Sequence, residues 1–217
     1  MSQVSVANPT RTRFESFAAR LGYAAALAFT AWVAGGLPSV FELDRSALEA
    51  GQLWRLWTGH LVHGNANHYN YDVAAATLLL LAFGPSRRLL WMAPTIGVAL
   101  LAAWPQIDLY YGLSALLHAW VVTIAADSLR EERGSRRVVA GLLLAGVVSK
   151  ASLETWLGES LFTSPLDFGG PVLHCSHWIG AMIGLLPLCF HSLKAVALHY
   201  EQGGTRPAAK ASLGERA

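Results

Sequence analysis

The chain is short of charge. Only 14% of its 217 residues are Asp, Glu, Lys or Arg, against roughly a quarter in soluble domains. A fully water-facing surface is hard to build from so few. It also lacks an excess of either sign: the net charge is +2, and the 16 basic residues are not clustered on one element. That excludes the basic footprint expected of a nucleic-acid binder. Cysteine is scarce. Cys175 and Cys189 are fourteen positions apart on one expected helix, hence some ~21 Å apart at about 1.5 Å per residue, too far for a disulfide. No cleavable signal peptide is evident, because the first twenty residues are polar, carry Arg11, Arg13 and Arg20, and contain no small-residue site closing a short apolar core. Neither an internal repeat nor a soluble second domain is visible.

What is abundant is apolar. Hydrophobic residues make up 53% of the chain, with eight Trp, six Tyr and eight Phe to serve as interfacial anchors. Apolar runs predict six spans: about Phe17 to Val40, Asn67 to Gly84, Leu89 to Trp104, Gly112 to Asp127, Val138 to a point between Val148 and Leu157, and Val172 to Leu193. The expected fold is an all-α membrane protein, a bundle of six transmembrane helices. Several spans fall short of the ~20 residues of a perpendicular crossing, which tilt and local bilayer thinning accommodate. Residues 1–16 read as a cytoplasmic arm, 17–193 as the membrane domain and 194–217 as a polar cytoplasmic tail. The stretch Phe41 to His63 sets Glu42, Asp44, Arg45, Glu49 and Arg55 among Leu and Trp. It is too charged to span and too apolar to float free, so it is expected in the outer interface.

Charge sets the orientation. With both termini, the 85–88 turn and the 128–137 loop on one side, that side holds all of the 16 Lys and Arg except Arg45, Arg55 and Lys150, thirteen in all. The positive-inside rule makes it cytoplasmic. Ser114, His63, His68, His174 and His177 then gather at the outer end of the bundle.

Polar groups on three spans meet at that depth. His68 and Asp72 are four apart and share a helix face. Ser114 and His118 do the same on the fourth span, and His174 and His177, three apart, on the sixth. Ionisable groups inside a membrane are costly and mark functional sites. A metal site is one reading of such a set, but there is no H-E-x-x-H motif and no cysteine cluster, and Ser114 would be left without a role. An ion path would need acids spread through the membrane depth, where Asp72 is the only clear one. A Ser within reach of a His is a nucleophile with its base, suited to acyl transfer. Gly180 and Gly184 form a G-x-x-x-G face able to bring the sixth span against Ala115 and Ala119 of the fourth. His60 and His63 read as loop-packing groups, and Trp54 and Arg55 as braces of the outer connection.

With those residues in view, the chain resembles the rhomboid intramembrane serine proteases, and within them the rhombosortases. The Gly-x-Ser element is Gly112-Leu113-Ser114, with Ala115 where many members have a second Gly. The small-His-x-x-Gly-x-x-x-Gly element runs from Ser176 and His177 through Gly180 to Gly184. Trp54-Arg55 matches the Trp-Arg of the first outer loop, and His63 with His68 the His-x4-His pair. Asp72 stands where the family usually has Asn. His118 leans toward rhombosortases. The resemblance covers roughly residues 52–184.

The resemblance implies a rhomboid-like six-helix bundle and a Ser–His dyad without a third acid. Ser114 is then the nucleophile and His177 the general base. His68, Asp72 and the Ser114 N–H would face the oxyanion, with Gly112 and His118 in support; Asp72 would act there as a protonated donor, the alternative being an ionised Asp72 paired with His68. No metal and no cofactor is implied. The partners are the lipid bilayer and membrane-protein substrates with a C-terminal transmembrane sorting tail, cut near the outer face of a bacterial inner membrane. The rival reading is a catalytically inactive rhomboid-like protein that binds membrane helices; a transporter or metal carrier comes third.

Overall fold

The computed structural model describes residues 9–131, 133–161 and 173–187. The expected tail 194–217, the loop with Pro165, Gly169, Gly170 and Pro171, and Cys189, His191 and His199 lie outside the described residues. What is described is mainly α-helical. The long helices are α1 (Pro9–Gly36), α5 (Ala66–Phe83), α6 (Leu89–Ala103), α7 (Ser114–Glu131) and α8 (Ser135–Leu157). A last helix, α9, covers 175–187. Between α1 and α5 lie α2 (Pro38–Phe41), α3 (Arg45–Glu49), α4 (Arg55–Thr58) and a 3-10 turn at Gly59–Leu61. Two strands of two residues each, β1 (Leu43–Asp44) and β2 (Leu109–Tyr110), complete the set.

Six helices thus fall on the six apolar runs, with shifted ends. α1 starts at Pro9, inside the stretch expected as an arm, and stops at Gly36, ahead of Pro38. α8 runs on to Leu157 and closes on Gly158 in the left-handed conformation (φ 71°), the usual helix stop for a residue with no Cβ. Two of these helices contain stretches long and apolar enough to cross a membrane, Ser16–Gly36 and Arg137–Leu157, and Leu89–Ala103 is a shorter apolar helix. Their outer faces are bare: Phe29, Trp32, Leu142 and Trp156 are all more than 60% exposed.

The core sits around α7, whose Ala115, Ala119 and Ala125 are fully buried. Small residues let neighbours come close. A Cβ on Gly180 would run into the Ala115 carbonyl, and one on Gly184 into the Ala119 carbonyl. The expected contact between the fourth and sixth segments is therefore made, and Thr123 Oγ1 seals it by donating to the Gly184 carbonyl (3.0 Å). On the other flank, Tyr69 of α5 donates to the Ala28 carbonyl of α1 (2.9 Å), and Arg20 donates to the carbonyls of Leu81 and Ala82 (2.8 and 3.0 Å) at the end of α5.

The connection between α1 and α5 is a folded knot of short helices. Arg55, only 5% exposed, donates to the carbonyls of Glu42 and Ser39 (both 2.7 Å) and to Gln52 Oε1 (2.8 Å). Three acceptors satisfy a buried guanidinium that would otherwise be costly. Arg45 donates to the carbonyls of Leu101, Trp104 and Ile107. β1 pairs antiparallel with β2, Leu43 opposite Tyr110 and Asp44 opposite Leu109. The knot is thereby stitched to the segment that leads into Ser114.

Candidate active site

Ser114 is the first residue of α7. The turn before it is made by Gly112, whose φ of 120° favours glycine. A Cβ on Gly112 would also come within 3.0 Å of the His68 ring. Two backbone bonds fix the turn: Gly112 N–H donates to the Gly59 carbonyl (3.2 Å), and Leu113 N–H donates to Asp72 Oδ2 (2.9 Å). The first N–H groups of α7 have no partner within the helix, and they lie where Ser114 presents its hydroxyl.

His177 comes in on α9, held close by the Gly180 contact. Its Nε2 lies 3.2 Å from Ser114 Oγ. Its Nδ1 lies 2.9 Å from Glu154 Oε2 on α8. A carboxylate only accepts, so Nδ1 carries the proton and Nε2 presents a lone pair to the serine hydroxyl. The His118 ring stacks on His177 at 4.2 Å between centroids and 8° between planes. His118 Nδ1 donates to the Ser114 carbonyl (2.7 Å), and its Nε2 is buried without a hydrogen-bond partner. His174 stands at the start of α9, its ring centroid 6.4 Å from that of His177.

On the other side of Ser114 lies a second His–carboxylate group. Asp72 Oδ2 is 3.3 Å from His68 Nε2 and 3.4 Å from His63 Nε2, and all three residues are buried. Asp72 was expected as a protonated donor to an oxyanion. Its Oδ2 instead accepts from the Leu113 N–H and faces two imidazoles, a geometry that suits the ionised alternative. His63 joins this group instead of merely packing the loop. His60 does pack: its Nε2 donates to the Ala93 carbonyl (2.9 Å), and burial holds its imidazole below the ordinary pKa. His63, His68 and Asp72, and likewise Glu154, His174 and His177, bring ligand-type atoms within 4.8 Å of one another.

Between α5, α7 and α8 lies a cavity of about 890 Å³. Tyr71, Leu78, Leu79, Leu117 and Val121 make its wall largely apolar, and Ser114, His118, His177, Asp72 and Glu154 supply polar groups. The site therefore joins every expected residue: Ser114, His177, His68, Asp72, Gly112 and His118. It also contains Glu154, which the expected dyad omits. The signal was present: Lys150 and Glu154 are four apart in an otherwise uncharged run, but with the end of the fifth segment left open between Val148 and Leu157 they pass for loop charges. No protein-family model matches the chain, and no curated protein or solved structure matches it either.

Proposed function

We propose that the chain is a rhomboid-type intramembrane serine endopeptidase of the rhombosortase branch, with α1, α5, α6, α7, α8 and α9 as membrane spans, both termini cytoplasmic in a bacterial inner membrane, and the site near the outer face. The observation that carries this reading is the 3.2 Å approach of His177 Nε2 to Ser114 Oγ beside an apolar cavity. Exposed Trp32, Leu142 and Trp156 on the helix exteriors support a lipid surround.

The chemistry follows from the proton positions. Ser114 Oγ attacks the scissile carbonyl carbon as its proton passes to His177 Nε2. The C–N bond then breaks, and His177 returns that proton to the leaving amine. A water, deprotonated by the same nitrogen, cleaves the acyl ester and restores the hydroxyl. The developing oxyanion would be met by the free N–H groups at the start of α7, where the helix dipole also favours negative charge. Gly112, stiffened by Asp72 and His68 behind it, keeps those groups in place. The apolar cavity suits an extended apolar stretch of substrate, such as a C-terminal membrane tail preceded by small residues that unwind easily.

A fluorophosphonate probe tests the reading. The full chain in detergent should be labelled covalently, and labelling should vanish in Ser114→Ala and in His177→Ala while both variants keep the wild-type melting midpoint. Labelling that persists in Ser114→Ala, or a wild type that resists the probe at every pH, sinks it.

A further inference from the structure

We propose that Glu154, held by Lys150, is the positioning residue of His177, so that the reacting group is a Ser114–His177–Glu154 triad. This inference rests on the protease reading and departs from the acid-free dyad that the family resemblance implies. Glu154 is 1% exposed, and each carboxylate oxygen is occupied. Lys150 Nζ donates to both (2.8 and 2.7 Å), Leu161 N–H donates to Oε1 (3.2 Å), and His177 Nδ1–H donates to Oε2 (2.9 Å).

A lysine–glutamate pair alone would be a structural feature. The bond to His177 changes what the pair can do. It fixes which ring nitrogen holds the proton, and with it the orientation of the lone pair on Nε2. It also places a negative charge behind the imidazole at the moment the ring becomes cationic, the role of the third residue in serine hydrolases built on other folds. His118 on α7 contributes the ring face that keeps His177 from swinging out of line. Lys150 sits four residues before Glu154 on the same helix face, so it tethers the carboxylate.

The covalent probe reads this directly. Ser114 Oγ forms a bond to phosphorus, the P–F bond breaks, fluoride leaves, and the serine proton goes to His177. The second-order labelling rate of the full chain in detergent is measured from pH 5 to 9 for wild type, Glu154→Gln, Glu154→Asp and Lys150→Met, with the melting midpoint of each. Removing the acid of such a triad costs up to about 10⁴-fold; Glu154→Gln is expected to label at least about 100-fold more slowly. The acid limb of its rate profile should move to lower pH, because the imidazolium has lost its counter-charge; Lys150, His118 and His174 are the other ionisable groups around that ring and stay unchanged. Glu154→Asp, which keeps the charge on a shorter arm, should recover part of the rate and the wild-type profile. Lys150→Met should slow labelling only a few-fold. If Glu154→Gln fails to fold, Glu154→Asp and Lys150→Met decide: wild-type rates in both overturn the proposal. Labelling of Glu154→Gln at the wild-type rate with an unshifted profile overturns the positioning role while leaving the protease reading intact. A wild type that never labels overturns both.

Discussion

Two buried His–carboxylate groups flank Ser114, made of the same parts and wired in opposite order. On the α8–α9 side the carboxylate of Glu154 stands behind His177, so the free imidazole nitrogen points forward at the serine hydroxyl. On the α5 side the carboxylate of Asp72 stands in front of His63 and His68 and is spent on the Leu113 N–H. The first arrangement is suited to moving a proton; the second holds a turn. Composition cannot separate them, since each is a carboxylate with imidazoles. What separates them is which atom faces Ser114.

The largest expected effect falls on the forward-facing group. Ser114→Ala and His177→Ala should each remove cleavage of a membrane substrate, and the double variant should be no slower than either, because residues acting as one unit are not additive. Initial cleavage rates in vesicles measure this. A double variant slower than both singles by the product of their effects would mean the two groups act separately.

Asp72 comes next. Asp72→Ala leaves the Leu113 N–H buried without an acceptor, which costs about 1–3 kcal/mol; thermal melting should show the loss, and cleavage should fall as the turn before Ser114 relaxes. Asp72→Asn keeps an oxygen for that N–H and should lose less than about 1 kcal/mol. A protonated donor would be lost as pH rises, so the wild-type rate would fade and Asp72→Asn would not. An acceptor predicts parallel rate profiles for the two proteins on the alkaline side. A fade confined to the wild type would restore the donor role.

Gly180 separates the two groups by geometry. An added methyl meets the Ala115 carbonyl, and overpacking of this kind costs about 1–3 kcal/mol. Gly180→Ala should push α9 from α7, widen the gap between Ser114 and His177 and slow probe labelling about ten-fold or more, while the Asp72 group on α5 stays as it is. Gly146→Ala on α8 is the control: nothing lies within 4 Å of a Cβ there, and helix propensity favours the change by up to about 1 kcal/mol. Equal effects of the two substitutions on labelling would show that the close approach of α7 and α9 does not set the site.

These contrasts also mark what was legible in the sequence. The helix positions were, because apolar runs are bounded by Gly84 and Gly112, and so was the Gly180 contact, because small residues recur every four positions on facing segments. The partnership of Ser114 with His177 followed from motif spacing. The wiring of the carboxylates did not. Asp72 at i+4 from His68 predicts adjacency but not that a backbone N–H, forty-one residues away in sequence, takes its oxygen. Glu154 hid because its place depended on where α8 ends, and helix ends depend on caps and neighbours more than on hydropathy. The short helices of 38–61 hid for a related reason: the buried guanidinium of Arg55 organises them through backbone carbonyls, which no side-chain pattern records.

The smallest effect concerns His60, a buried histidine with no carboxylate bonded to it. His60 is 2% exposed and donates one hydrogen bond, to the Ala93 carbonyl. Burial holds its pKa below the ordinary 6.5 in the fold. The unfolded chain therefore binds more protons at this position once the pH drops under that value, and stability tracks the difference in bound protons. The sign is fixed: this contribution is flat above pH 6.5, and stability is lost as pH falls from there through the lowered folded value. His60→Gln can still donate to the Ala93 carbonyl but does not titrate. Melting midpoints of the two proteins from pH 8 to 5 should run parallel in the upper half of that range and diverge in the lower, with the wild type falling more steeply. The other histidines are the same in both proteins, so the difference between the curves isolates His60. Curves that stay parallel down to pH 5 would mean that the fold tolerates an imidazolium beside Ala93, and that a carboxylate partner is not what distinguishes His63, His68 and His177 from it.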